Sequence, residues 1–397
     1  MIDFSINIYA LIIGLTLIQA VVFAIILCVR GYRNNNYSDY LLALLIILLG
    51  LTFVPDLFGW LNIHVLWNEY IFYPWDGFEL AVLPTAMLFL RSRLNSEWRF
   101  KWKDLKLYWL YILYFVYHLI IGLQGKEYAK WWWYEVNNKY NIDAVFSFCN
   151  LGLFVYFLID FNKTYQSYQT WSANRYSDLS PLSISWIRNF LIAYFVFVAI
   201  NVALTLMSLI IGVHYEKMWW AYLLNLGITY YISIYGYSHR PINNLNFQLN
   251  EDALVTDQVL NNAEDENINP TFKKQEPIID GAELLIWKDK LNDYFINKRP
   301  YLNPDLRLAE LANHFQVNIS TLSTIINQCF DKNFNDLVNE YRVNAFCKKI
   351  DVGQLSQFTL LSIAYDSGFN SKTTFNRAFK KQLGMSPSDY VNLQKSK

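Results

Sequence analysis

Two patterns of apolar and polar positions divide the chain. From about residue 6 to residue 236 the apolar residues run in long stretches with no polar face, of which Leu41-Leu42-Ala43-Leu44-Leu45-Ile46-Ile47-Leu48-Leu49 is the clearest. A helix packed on a soluble core keeps a polar stripe at its helical period. These stretches keep none, so they predict helices solvated by lipid. From residue 284 onward the pattern changes to short amphipathic segments separated by turn residues, which predicts a small helical domain.

Seven apolar stretches can be drawn, over residues 6–29, 40–61, 72–90, 105–123, 143–161, 187–211 and 219–236. Most approach the roughly 20 residues that carry a helix across about 30 Å of hydrocarbon. The first is too long for a signal-peptide core and lacks a basic lead and a small-residue cleavage site, so it is expected to stay as a span. The third is interrupted by Asp76, Glu79 and Pro84.

Charge orients the stretches. With the N-terminus outside, the inner gaps and the first residues of the stretches that follow them hold Arg30, Arg33, Arg91, Arg93, Arg99, Lys101, Lys103, Lys106, Lys163, Arg175 and Arg188. The outer gaps hold only Lys126, Lys130, Lys139 and Lys217. Eleven against four favours an outside N-terminus and a cytoplasmic C-terminus.

Composition sharpens the division. The net charge of zero averages unlike parts. Residues 241–280 carry eight acids against Lys273 and Lys274, and Pro270 and Pro277 punctuate a run rich in Asn, Asp, Glu and Gln. That composition predicts a flexible, solvated acidic linker. Residues 281–397 carry 15 bases and 11 acids, a surplus that suits a polyanion-binding module. The expected organisation is therefore all-α: a transmembrane bundle of about seven helices over 1–240, a linker over 241–280, and a DNA-binding domain over 281–397.

That last expectation rests on motifs. An amphipathic helix over 284–298 places Leu284, Leu285, Trp287, Leu291, Tyr294 and Phe295 as its apolar set. Asn303 can then cap a helix with Pro304 at its first position and Asp305 in its first turn. A short helix over 308–315 and a turn at Gln316-Val317-Asn318 lead into a second helix over 319–330. There Leu322, Ile325 and Ile326 point inward, and Ser320, Thr321, Ser323, Thr324 and Asn327 are the exposed candidates. The plan repeats: a helix over 360–367, a turn at Gly368-Phe369-Asn370 where glycine can take a positive φ, Ser371 as cap, then Lys372 to Lys381. Phe375, Ala378 and Phe379 point inward. The open side carries Lys372, Thr373, Asn376, Arg377 and Lys380, with Ser371, Thr374 and Lys381 as further DNA-contact candidates. Arg and Asn can make paired hydrogen bonds to guanine and adenine edges, while Lys380 and Lys381 suit phosphates.

The run Ala364-Tyr365-Asp366-Ser367-Gly368-Phe369-Asn370-Ser371-Lys372-Thr373-Thr374-Phe375-Asn376-Arg377-Ala378-Phe379, followed by Gly384-Met385-Ser386-Pro387, resembles the AraC-type transcriptional regulator signature. Asn335-Asp336-Leu337-Val338-Asn339-Glu340-Tyr341-Arg342-Val343 resembles that family's linking helix. The likeness covers about residues 284–394. It implies a seven-helix domain in which a long helix near 335–350 sets two recognition helices into successive major grooves. Family members often carry a basic residue near Thr324 and at Asn327; both are neutral here, which implies weaker binding by the first unit. The apolar half resembles the membrane-embedded subset of the family.

Other chemistry is sparse. Intramembrane ionisable groups are candidate sensing sites: Asp76, Glu79 and His118 lead, with Asp56 and Asp160 behind them. Trp131, Trp132 and Trp133 lie in the outer gap of residues 125–142, where a row of aromatics can stack on a flat ligand or anchor the interface. The four cysteines form no metal-binding spacing, and no catalytic motif is present, so neither enzyme activity nor a cofactor or metal is expected. The expected partners are double-stranded DNA and the lipid bilayer, with RNA polymerase, a second copy of the chain and a small-molecule ligand as further candidates. Two rival readings stay open: the spans serve only as an anchor, or they form a transporter or intramembrane enzyme with a regulatory tail.

Overall fold

The computed structural model describes residues 8–61, 77–211, 220–239, 245, 247 and 281–395. Among them are helices and turns and no strand. The chain divides into two units, residues 1–163 with 184–247, and residues 164–183 with 248–397.

The first unit holds α1 (Ile8–Asn34), α2 (Tyr37–Leu51), α3 (Val54–Trp60), α4 (Glu79–Leu94), α5 (Trp109–Leu123), α6 (Lys126–Trp132), α7 (Ile142–Arg175), α8 (Ser185–Ile211) and α9 (Trp220–Ser238). The last turns of α7, from Thr164, group with the second unit. α1 is inside out relative to a soluble helix. Leu11, Leu15, Ile18, Val22, Ile25 and Val29 are exposed, while Thr16, Gln19, Ala20 and Ala24 are buried. Lipid is as apolar as leucine, so a membrane helix gains by turning small and hydrogen-bonding residues toward its neighbours. Gln19 donates to Ser233 Oγ of α9 at 2.7 Å, and Asn225 donates to the Leu49 carbonyl of α2 at 3.0 Å. Arg30 closes the end of this packing with paired bonds to Asp39 at 2.8 and 2.6 Å.

Among the described residues four helical stretches are long and apolar enough to cross a membrane: Ile8–Asn34, Trp102–Leu123, Ala144–Arg175 and Ser185–Ala203. The expected count of seven is not confirmed. The stretch over 40–61 is broken into α2 and α3 just before Pro55, which cannot donate a backbone hydrogen bond. The stretch over 72–90 yields the 16-residue α4, and Asp76 lies outside the described residues. Trp131 to Trp133 sit in α6 and the π turn after it, so the expected loop is helical there.

Most of the connector over 241–280 also lies outside the described residues. Leu245 and Phe247 are described, and both are buried. The Phe247 N–H donates to the Leu94 carbonyl at 3.0 Å, and the Leu245 carbonyl accepts from Ser96 N–H at 2.8 Å. The chain is thus fastened to the end of α4 where polar composition predicts a free linker; these two apolar side chains in an Asn-rich run provide the attachment.

The second unit holds seven α-helices among its described residues beyond 281, the number that the family resemblance implies. They are α10 (Gly281–Lys298), α11 (Leu308–Phe315), α12 (Ile319–Phe330), α13 (Phe334–Asp351), α14 (Leu360–Asp366), α15 (Lys372–Leu383) and α16 (Pro387–Lys395). They build two cores on one beam. Phe334, Leu337 and Val338 of α13 join the core of α10, α11 and α12; Val343, Phe346 and Ile350 join the core of α14, α15 and α16. At 1.5 Å per residue the 18-residue α13 is about 27 Å long. Leu285 of α10, grouped by pattern with the apolar set, is exposed. Asn303 does not cap a helix as expected. Its side chain accepts from Asp305 N–H in a local turn at 3.1 Å, and α11 starts later, where Glu310 reaches back to the Arg307 N–H at 3.1 Å.

Candidate nucleic-acid interface

Each half of the second unit is a helix, a tight turn and a second helix. In the first, Gln316 takes a left-handed φ of 57° and the Val317 N–H closes on the Ala312 carbonyl at 3.0 Å. In the second, Gly368 has φ 94° and the Phe369 N–H closes on the Ala364 carbonyl at 3.2 Å. Gly368 is fixed sterically as well as torsionally: a Cβ there would lie 2.1 Å from the Tyr301 carbonyl oxygen. Ser371 then caps α15, its hydroxyl accepting from Thr374 N–H at 3.1 Å, as the sequence predicts. Asn318 precedes α12 without a side-chain cap.

Aligning the two helices at their caps pairs Leu322 with Phe375 and Ile326 with Phe379, all buried. The same alignment pairs Ser320 with Thr373, Ser323 with Asn376, Thr324 with Arg377, and Asn327 with Lys380. Thr373, Asn376, Arg377 and Lys380 are exposed, and their three- and four-residue spacings put them on one face of α15. Lys372 and Lys381 are exposed beside that face, and Lys381 is paired with Asp336 of α13 at 2.6 Å. On α12, Asn327 is exposed and Ser320, Thr321 and Ser323 are half-buried.

Two expected contact residues are not on an open face. Thr324 is buried, its hydroxyl donating to the Ser320 carbonyl at 3.2 Å, which satisfies the group inside the helix. Thr374 is buried at 2% exposure, and its hydroxyl is engaged by Ser371 at 2.9 Å and by Ser180 at 2.6 Å.

Sequence reasoning missed the polar stripe of α13. Asn335, Asn339 and Arg342 recur at four- and three-residue spacing within an apolar helix and are all buried. That spacing is the signal that could have found them. Arg342 is fully buried. Its guanidinium donates to the carbonyls of Tyr301 and Asn303, both at 2.8 Å, and to the Ser177 hydroxyl at 3.1 Å. Burial lowers its pKa to about 10, against the opposing pull of Asp178 and Asp305, so it stays charged at neutral pH.

A family model described as a helix-turn-helix domain, of AraC type, matches residues 311–392. Residues 311–392 are an AraC-type helix-turn-helix domain. Both helix-turn-helix units fall inside the match, apart from the first residues of α11. Among solved structures, the chain is similar to a protein of unknown function from Listeria innocua. The two are 26% identical over 27% of this chain and 96% of that one, with a TM-score of 0.24. No curated protein matches the chain.

Among the candidate sensing residues, His118 and Trp132 meet in one aromatic cluster. His118 is buried, with Nδ1 3.0 Å from the Tyr114 carbonyl. Its ring lies among Tyr114, Tyr117 and Trp132, with centroids 4.0, 5.3 and 5.7 Å away. Trp132 is therefore a core residue here and not part of an open aromatic row, while Trp131 is exposed beside Tyr128. Trp133 packs at the edge of the cluster that holds Trp132. Glu79 opens α4. Among the described residues no group of three His, Cys, Asp or Glu side chains converges as metal ligands.

Proposed function

We propose that the chain is a membrane-bound, one-component transcriptional regulator whose AraC-type domain reads double-stranded DNA from the cytoplasmic face. The observation that carries the reading is the face of α15. Thr373, Asn376, Arg377 and Lys380 are exposed together on a capped helix whose opposite side is locked into the core by Phe375 and Phe379. Arg377 and Asn376 have the donor and acceptor groups to read base edges. Lys372, Lys380 and Lys381 suit the flanking phosphates. On α12, Ser320, Thr321, Ser323 and Asn327 supply a neutral second contact. α13 carries both units on one rigid helix, which suits successive major grooves about 34 Å apart.

Four apolar helical stretches and the inside-out α1 support a bilayer around the first unit. The excess of inner Lys and Arg supports an N-terminus outside and the DNA-binding domain within. In this reading the membrane unit senses a small-molecule signal and biases the DNA-binding domain by the usual coupling of about 1–3 kcal/mol. The neutral α12 favours a second copy of the chain on DNA, since paired binding multiplies weak contacts. RNA polymerase is the downstream partner of such a regulator.

The test is selection from fragmented genomic DNA with the full chain in detergent, at about 150 mM salt, beside Arg377→Ala. A motif recovered by the wild type and lost by the variant is expected. A folded wild-type protein that enriches no motif would defeat the reading.

A further inference from the structure

Residues 176–180 belong to the second unit, and they pack against the first turn of α15. The Ser177 N–H donates to the Leu306 carbonyl at 3.2 Å, and its own carbonyl accepts from Asn335 at 2.8 Å and Arg342 at 3.3 Å. Its hydroxyl accepts from Arg342 at 3.1 Å, and the residue is fully buried. Tyr176 bridges Arg307, whose guanidinium lies 5.7 Å from the centre of its ring. Beyond this anchor the segment turns onto the recognition helix. Asp178 accepts from the Thr374 hydroxyl at 3.3 Å and from Ser180 N–H at 3.0 Å, and Ser180 shares a 2.6 Å hydrogen bond with Thr374.

Thr374 stands in the first turn of α15, the end that enters a major groove in helix-turn-helix docking. The free N–H groups and the dipole of that end attract anions. In the structure the Asp178 carboxylate lies beside that turn, held by the Thr374 hydroxyl while Ser371 caps the Thr374 N–H. A DNA phosphate approaching the same turn meets the Asp178 charge and the bulk of Ser180. The base-reading side chains Thr373, Asn376, Arg377 and Lys380 remain exposed, so the segment holds the entry end of the helix and leaves its face open.

We propose that residues 176–180 are an intramolecular competitor of DNA: docked, they block the N-terminal end of α15, and DNA binding requires their release. The proposal rests on the regulator reading above. It also supplies a route for regulation, because this segment joins α7 to α8, two helices apolar enough to cross a membrane. A change in the spacing of Arg175 and Ser185 pulls directly on Ser177. Release leaves the domain's own ties intact, since Arg342 keeps its bonds to Tyr301 and Asn303.

The experiment uses the full chain in lipid nanodiscs and a pool of fluorescent random-sequence duplexes of about 30 base pairs, which reads phosphate-driven affinity. Asp178→Asn and Ser180→Ala together are expected to tighten binding about tenfold, within the usual range of coupled sites. Asp289→Asn removes the same charge from α10 and is expected to stay within about twofold, by salt screening. Separately, Ser177→Cys reports docking through maleimide labelling resolved by peptide mass spectrometry: slow alone, faster when DNA is added. Wild-type DNA binding with unchanged affinity in the double variant and unchanged labelling overturns the competitor and leaves the regulator standing. Failure of every folded variant to bind DNA overturns both.

Discussion

The second helices of the two helix-turn-helix units share a backbone plan and differ in charge, capping and turn. α12 carries no charged side chain, starts without a side-chain cap, follows a non-glycine residue in the left-handed region, and buries Thr324. α15 carries four basic residues, a serine cap and a glycine turn, and places Arg377 at the position that Thr324 holds in α12. Under the proposed function, one scaffold supports two roles: α15 reads and holds DNA, and α12 aligns it. The difference lies in solvent-facing chemistry, because the aligned inward pairs Leu322 and Phe375, and Ile326 and Phe379, are all apolar and buried, with only Ala378 half-buried where Ile325 is buried.

The comparison breaks most sharply at the turns. Gly368→Ala is expected to cost about 3–5 kcal/mol, combining left-handed strain with a clash against the Tyr301 carbonyl. Thermal unfolding of the C-terminal unit in the full chain measures it, and a loss below about 1 kcal/mol would mean that the turn is less constrained than drawn. On the DNA side, Arg377→Ala should weaken the selected site by about 1–3 kcal/mol and relax preference at one base pair. Thr324→Ala, at the aligned position, should leave affinity nearly unchanged. Equal losses in the two variants would remove the asymmetry. Ser371→Ala should cost about 1 kcal/mol of stability through the lost cap, whereas Asn318→Ala should cost less; denaturant titration separates them. The smallest effect is expected at Gln316→Gly, where relief of left-handed strain is largely offset by a more flexible unfolded chain, for a net gain of about 0.5 kcal/mol.

Much of the DNA-binding domain was legible because its signals are local. Cap, turn and inward residues of α15 lie within a few positions of one another, so Gly368, Ser371, Phe375 and Phe379 could be placed from spacing alone. Thr324 and Thr374 were misplaced because a threonine can be buried once its hydroxyl finds a carbonyl or another hydroxyl nearby. The membrane count was harder. Apolarity marks which residues avoid water, but helix breaks such as the one before Pro55 depend on packing and backbone geometry. The docking of residues 176–180 was not legible, since Ser177 meets Arg342 and Asp178 meets Thr374 across more than 160 positions of sequence. The polar stripe of α13 that meets this segment was missed as well, although its four- and three-residue spacing is local.

The most direct test of the central claim is hydroxyl-radical footprinting of the full chain on its selected site, with and without Arg377→Ala. Two protected patches about 10 base pairs apart are expected, with the patch under α15 the stronger and selectively lost in the variant. Protection of a single patch, or an unchanged pattern in the variant, would contradict tandem reading led by α15.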